Sequence, residues 1–167
     1  MINKLFILLI GITFVGCGKV FAQNQTIKIP YNEFYPKLEI MDTTIQTEYF
    51  TPNQLKSKTI YYECKSTING TTYTGSFAVR KEKYYKNGEL KFLRLSPDIL
   101  IKTEIYYNEQ GKKHKEYFYS YPSDNVVKIK SNAFYTLWSK DWTYNKYEDG
   151  VLISTEYWKN RKKVKKK

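Results

Sequence analysis

Apolar and polar side chains alternate along much of this chain, and short glycine turns interrupt the alternation. The clearest case lies on either side of Asn69 and Gly70, a residue pair typical of a two-residue β-hairpin turn. Counting outward from this turn pairs Ile60 with Val79 and places Cys64 on the same, largely apolar face. Because the turn chemistry and the alternation agree, the sequence predicts an antiparallel hairpin with Cys64 in the core.

Three further turns extend the pattern, at residues 87–88, 108–111 and 149–150. Outward counting predicts the following cross-strand pairs: Tyr85 with Leu90, Trp142 with Tyr157, Tyr144 with Thr155, and Tyr147 with Leu152. Consecutive hairpins of this kind form a sheet. The sequence therefore predicts an all-β fold, a single antiparallel meander of hairpins in a twisted or curved sheet, with at most one or two short helical turns.

Two stretches are harder to interpret. Within residues 23–58 the sequence predicts a short strand ended by Pro30, two more short strands between residues 38 and 49, and one helical turn at Thr51 and Pro52. Within residues 132–138, a helical turn and an irregular strand both agree with the pattern.

The first 22 residues have the pattern of an export signal. Lys4 precedes an apolar run at residues 5–15, and Ala22 offers a small side chain at a cleavage site. The predicted domains are a signal peptide at 1–22 and a single all-β domain at 23–167 with a basic C-terminal tail at 161–167. The predicted location is the periplasm, the cell surface or the medium. An alternative interpretation is a lipoprotein whose Cys17 carries acyl chains and tethers the protein to a membrane.

Composition adds a strong positive charge. The chain has 28 Lys and Arg against 16 Asp and Glu, a formal net charge of +12, and 17 Tyr. Only Arg80, Arg94 and Arg161 are arginines, whereas specific readers of nucleic acid favour arginine. We therefore expect no specific nucleic-acid partner. The lysines indicate either a solvated surface that protects sheet edges or attraction to an acidic glycan or anionic lipid.

Candidate catalytic groups are scarce. His114 is the only histidine and lies in a lysine-rich segment. Cys64 falls on the predicted apolar face, where a thiol has no base to activate it. The chain lacks the three or four ligands of a zinc site and the glycine motifs of phosphate loops. The sequence thus predicts a protein that is not an enzyme and uses no cofactor or metal. An unrecognised carboxylate pair from distant strands is the alternative.

Residues 84–90, 106–112 and 147–152 share an aromatic strand followed by a glycine turn, at its clearest Tyr-Tyr-Lys-Asn-Gly-Glu-Leu. Over residues 81–163 the chain resembles the bacterial MORN-variant repeat, found in antitoxin-like proteins. The resemblance implies a ladder of hairpins and no catalytic residue, since the family's characteristic positions are turn glycines and packing aromatics.

Two surfaces are candidate binding sites. The leading hypothesis is an exported, non-catalytic interaction module with a protein partner in the envelope. Its candidate partner face comprises Tyr117, Tyr119 and Tyr121. The alternative is an envelope protein that binds acidic glycan or anionic lipid through lysine and tyrosine. The candidate polyanion contacts are Arg161, Lys162, Lys163, Lys165, Lys166 and Lys167, which could equally form a frayed, solvated tail.

Overall fold

The computed structural model describes residues 26–119, 126–130, 133–135 and 140–165. These residues form one open sheet and two short helical turns, so the all-β prediction is confirmed. The helical turns are α1 (Tyr31–Phe34) and a 3-10 turn (Tyr35–Lys37). The strands are β1 (Ile27–Pro30), β2 (Leu38–Thr51), β3 (Gln54–Ile68), β4 (Thr71–Tyr84), β5 (Leu90–Leu95), β6 (Lys102–Tyr107), β7 (Lys113–Tyr119), β8 (Val126–Lys130), β9 (Ala133–Tyr135), β10 (Trp142–Glu148), β11 (Val151–Lys159) and β12 (Lys162–Val164).

The sheet is an antiparallel meander with one excursion. Strands β2 to β7 pair in chain order, and β10, β11 and β12 continue the sheet from β7. Between β7 and β10 the chain forms β8 and β9 away from these strands. Strand β8 pairs with β1 and β9, and β9 also pairs with the first half of β4. The single parallel contact pairs Thr74 of β4 with Ala133 of β9. The predicted meander is confirmed, and the excursion is new.

The hydrophobic core lies at one end of the sheet. It fills the space between the β3–β4 hairpin and the small unit of β1, β8 and β9. Phe34 of α1 is completely buried there, and its ring meets that of Phe134 edge to face with centroids 5.1 Å apart. Its buried members are Ile29, Phe34, Cys64, Ile68, Tyr73, Phe77, Ile99, Leu100, Val127, Ile129 and Phe134. The core thus forms where β1, β8 and β9 cover one end of an otherwise single-layered sheet.

The first hairpin follows the predicted register from Ile68 back to Tyr61. The expected pair of Ile60 with Val79 is wrong, because a β-bulge shifts the register and pairs Ile60 with Arg80. Cys64 is buried, as predicted, and its partner is Gly75.

The second hairpin also differs from the prediction. Leu90 pairs with Tyr84 rather than Tyr85. Gly88 adopts a φ of 90°, in the left-handed region, and the Tyr85 amide donates to the Glu89 carbonyl at 2.8 Å. The turn therefore contains one residue more than a two-residue hairpin loop, which moves the partner of Leu90 by one. A bulge between Tyr84 and Lys83 then restores the register counted from residues 87–88, so that Lys83 pairs with Phe92.

For the third hairpin, the predicted register is correct at the turn and wrong by one residue beyond it. Tyr147 pairs with Leu152 as expected, but a bulge follows between Tyr147 and Lys146. The two other predicted pairs are therefore wrong, and the observed pairs are Trp142 with Trp158 and Tyr144 with Glu156.

The N-terminal stretch contains one correct prediction and two errors. The strand ending at Pro30 is confirmed. The two short strands are instead one long strand, β2, interrupted by bulges. The expected helical turn at Pro52 is wrong, because residues 52–53 turn the chain from β2 into β3. In the ambiguous segment, Ala133–Tyr135 is a strand, and residues 132 and 136–138 lie outside the described part. No helix among the described residues has the length and apolarity needed to span a membrane.

Candidate polyanion-binding face

One face of the sheet carries a row of lysines and aromatic rings that crosses five strands. The row follows the register from Lys83 of β4 through Phe92 and Tyr106 to Lys115 and Lys146. Because its members are direct cross-strand partners, their side chains share one face. Four spacings of about 4.8 Å give the row a length of roughly 19 Å.

More cations flank the row at its β4 end. Lys81 pairs with Arg94 two residues further along the strands and therefore on the same face. Together with Lys91 they line a hollow of about 240 Å³ above Phe92. Two adjoining hollows of about 390 and 450 Å³ reach towards β2 and β3, and Lys83 lines all three. We call Lys81, Lys83, Lys91, Arg94, Lys115 and Lys146 the lysine face.

Aromatic rings form the floor beneath these cations. The Phe92 ring is 7% exposed and meets the Tyr106 ring with centroids 5.0 Å apart. Lys83 Nζ and Arg94 Cζ lie 5.9 and 5.7 Å from the Phe92 centroid, and Lys115 Nζ lies 5.2 Å from that of Tyr106. The rings hold the cations by cation–π attraction and by contact with the aliphatic stems. The cationic heads therefore collect over a rigid floor.

Two carboxylates lie near these cations. Glu48 continues the row beyond Lys83 through Ser57 and lines two of the hollows, where the charge of Lys81 attracts it, but its ion pair is with Lys56 at 3.4 Å. Glu104 is buried between Arg94 and Lys102, at 2.8 and 3.1 Å. Burial lowers the pKa of Lys102, although Glu104 partly offsets that effect. By contrast, within the described ranges no carboxylate pairs with the five lysines of the lysine face.

Lys115 and Lys146 are directly opposite each other on β7 and β10. Like charges at opposed positions destabilise a sheet. An anion bound between them would reduce this repulsion.

The candidate partner face lies beside this row. Tyr117 and Tyr119 are half-buried and stack with ring centroids 6.3 Å apart. Tyr117 also meets Tyr144 at 5.0 Å, and Tyr119 meets Trp142 at 6.1 Å. Burial, followed by the charge of the nearby Glu104, raises the pKa of Tyr119 well above its usual value. Much of each ring is therefore used in packing between strands. Tyr121 lies outside the described residues.

The basic tail is partly ordered. Asn160 and Arg161 have φ values of 49° and 64° and form a tight left-handed turn. Lys162–Val164 then form β12 against β11, so the frayed-tail interpretation is wrong for these three residues. Lys163 Nζ lies 2.6 Å from Glu156 Oε1, whereas Lys162 and Lys165 are exposed. Lys166 and Lys167 lie outside the described part of the chain.

The remaining candidate residues supply no reactive group in the described ranges. His114 is exposed on β7. Cys64 is buried, and burial together with the charge of Glu63 raises the pKa of its thiol. The described ranges hold no group of three or more His, Cys, Asp or Glu able to bind a metal ion. Cys17 and the predicted signal lie outside the described residues.

Sequence reasoning placed the polyanion contacts in the tail and missed the lysine face. Strand alternation puts Lys81 and Lys83 on one side of β4, which was a usable signal. Lys115 and Lys146 join them only because β10 returns beside β7. Comparison with known proteins adds no direct guide, since no family model, curated protein or solved structure matches this chain.

Proposed function

We propose that this chain is a non-catalytic binding module of the bacterial envelope, exported after removal of residues 1–22, that holds an acidic glycan on its lysine face. The observation that carries this proposal is the lysine face, on which three lysines of the row and two lysines beside it have no carboxylate ion-pair partner among the described residues and lie near aromatic rings. Fixed, unbalanced cations on one face concentrate anionic ligands and accelerate their association.

The shape of the face favours a polymer. The row spans roughly 19 Å, with Lys83 near one end and the Lys115–Lys146 pair at the other. A single small anion reaches only one end of such a row, whereas a chain of repeated acidic units reaches both. Multiple weak contacts along one polymer then add up to useful affinity.

The lining of the hollows favours a sugar chain. Gln46, Thr47 and Thr59 line the hollow next to Lys81 and Lys83, together with the acidic Glu48. Amide and hydroxyl groups can exchange hydrogen bonds with sugar hydroxyls. Arg94, the only arginine on the lysine face, is held by Glu104. The guanidinium group of Arg94 is therefore engaged within the protein, which disfavours the bidentate contact with guanine that arginine makes in specific nucleic-acid readers.

The test compares two double variants with equal loss of charge. Lys81→Gln with Lys83→Gln alters the lysine face. Lys28→Gln with Lys128→Gln is the matched control, since these two lysines are also close neighbours but lie opposite each other on β1 and β8, away from the lysine face. Binding of polygalacturonate is measured by calorimetry at several salt concentrations, with dextran as the uncharged polymer.

We expect the lysine-face variant to bind polygalacturonate about 30-fold more weakly at low salt, from about 1 kcal/mol per lost cation. The slope of log affinity against log salt should fall by about two. The control should change affinity less than about twofold. Equal losses in both variants, or equal binding of dextran, would refute the proposal. Binding only to vesicles of phosphatidylglycerol would instead assign the face to lipid.

A protein partner is the second candidate function. Strand β2 exposes Ile40, Ile45 and Tyr49 by more than half of their surfaces. Exposed apolar side chains on an edge strand are a common docking surface for another chain. Salt-resistant recovery of one protein from crosslinked envelopes would support this candidate. Recovery that about 0.5 M salt abolishes would count against it.

A further inference from the structure

The sheet has two long outer edges that lack a neighbouring strand among the described residues, besides the four-residue β1, which pairs only with β8. At one end, β2 pairs only with β3. At the other end, β12 covers only Tyr157–Lys159 of β11, so residues 151–156 pair with β10 alone. Each edge therefore presents free backbone donors and acceptors, a ready template for another strand.

Apolar side chains are exposed along both edges. On β2, Ile40 is 57% and Ile45 is 56% exposed. On β11, Val151, Leu152 and Ile153 are 67%, 50% and 46% exposed. Three consecutive exposed aliphatic residues on an open strand edge are uncommon, because such edges aggregate unless something covers them.

The two edges carry opposite charge. Strand β2 contains Glu39, Asp42 and Glu48 and no Lys or Arg. The other edge ends in Arg161, Lys162, Lys163 and Lys165, with Glu156 as its acid. Some of these charges already form ion pairs: Glu39 and Glu48 pair with lysines of β3, and Lys163 pairs with Glu156. Surface ion pairs of this kind are weak.

The lengths of the free segments also agree. Between its bulges, β2 keeps an unbroken register over residues 42–48. The free part of β11 covers residues 151–156 and contains one bulge, at Ile153. Both segments are about 20 Å long. The bulges of β2 at Met41 and near Tyr49 would limit pairing to this central segment.

We propose that copies of this protein assemble head to tail, with β2 of one copy adding to the β11–β12 edge of the next. The contact is heterologous, so it joins two different surfaces and leaves one edge of each kind open for further growth. This inference deepens the second candidate function by naming a second copy as the partner. It does not rest on polymer binding.

A charge-swap experiment tests the assembly. One variant carries Asp42→Lys and Glu48→Lys on β2, and the other carries Lys162→Glu and Lys165→Glu at the opposite edge. The mature protein without any polymer is followed by sedimentation velocity over a range of concentrations, at about 20 mM and about 500 mM salt. Lys28→Glu with Lys128→Glu is the control for charge change away from both edges.

We expect the wild-type mass to rise with concentration, and more strongly at low salt. Each edge variant alone should require at least about tenfold higher concentration to assemble, because its two edges then repel. An equimolar mixture should assemble again, since the β2 edge of each variant then meets an oppositely charged edge of the other. The control should behave as wild type, and circular dichroism should show all variants folded.

Three outcomes would overturn the proposal: a wild-type monomer at all concentrations, assembly insensitive to both edge variants, or a mixture that stays monomeric. Ile45→Cys and Leu152→Cys, placed in separate molecules, provide a second measurement. Disulfides between the two variants indicate head-to-tail contact, whereas disulfides formed only within the Ile45→Cys variant would indicate a β2–β2 dimer and refute the proposal. The lysine-face variant Lys81→Gln with Lys83→Gln should assemble normally, which separates this test from that of polymer binding.

Discussion

Replacing Phe34 with alanine is expected to remove a large part of the stability of the whole protein. Phe34 belongs to a helix of four residues, yet its side chain is completely buried against the β3–β4 hairpin and Phe134. A helix this short has no stability of its own in water. It forms because the aromatic ring is buried, and truncating the ring tests that explanation.

The magnitude follows from the burial. Loss of roughly 150 Å² of buried apolar surface at about 25 cal/mol/Å² costs about 4 kcal/mol. The edge contact with Phe134 adds about 1 kcal/mol, and the usual range for such truncations is about 3 to 5 kcal/mol. Single domains have about 5 to 15 kcal/mol in total. Tyr35→Ala is the matched control, because Tyr35 is 38% exposed although it stacks on Tyr31, and it should cost about 1 kcal/mol.

Urea unfolding provides the assay, with tryptophan fluorescence and far-ultraviolet circular dichroism as probes. With a slope of about 2 kcal/mol per molar urea, the Phe34→Ala midpoint should fall by about 2 M. Trp142 and Trp158 lie on β10 and β11, away from the core. Coincident shifts of both probes would show that the core and the remote strands unfold together. A midpoint unchanged by Phe34→Ala, or changed no more than by Tyr35→Ala, would refute the assignment of α1 to the core.

Two further substitutions test the packing and the polar network. Gly75→Ala should destabilise the protein by about 1 to 3 kcal/mol, since a Cβ there would lie 3.0 Å from three ring atoms of Phe134; the loss, measured by urea unfolding, should shrink in a Phe134→Leu background. Glu116 is half-buried, which alone would raise its pKa, but hydrogen bonds from Asn145 and Tyr147 hold the pKa below its ordinary value. Its stabilising effect is therefore present at pH 7 and lost as the pH falls below about 4 through the lowered pKa. Glu116→Gln should cost about 1 to 2 kcal/mol at pH 7 and progressively less towards pH 3, and a constant difference between these pH values would contradict the reasoning.

The hairpins could be predicted because their information is local. Asn69 and Gly70 adopt positive φ, as the turn requires, and the alternation fixes the face of each neighbour. The errors begin at the bulges, for example between Ile60 and Tyr61. A single extra residue in one strand leaves little trace in a periodic pattern, yet it shifts all later pairs.

The helical elements could not be predicted from local preference. Pro52 suits the start of a helix and the corner of a β-turn equally well, and the pairing of β2 with β3 decides for the turn. Conversely, the sequence of α1 has no strong preference for helix. The helical turn forms because it buries the side chain of Phe34. The lysine face was equally out of reach, because Lys83 and Lys146 share one row only through the pairing of five strands.

The first strand determines the order in which the molecule can be completed. Ile27 of β1 pairs with Ile129 of β8, about a hundred residues later in the chain. On the ribosome, β1 emerges long before its partner β8 is synthesised. The hairpins from β2 to β7 can close as they appear, because their contacts are local. The core closes only when β8 arrives, so a nascent chain halted before residue 126 would expose Phe34 and remain a target for chaperones and proteases.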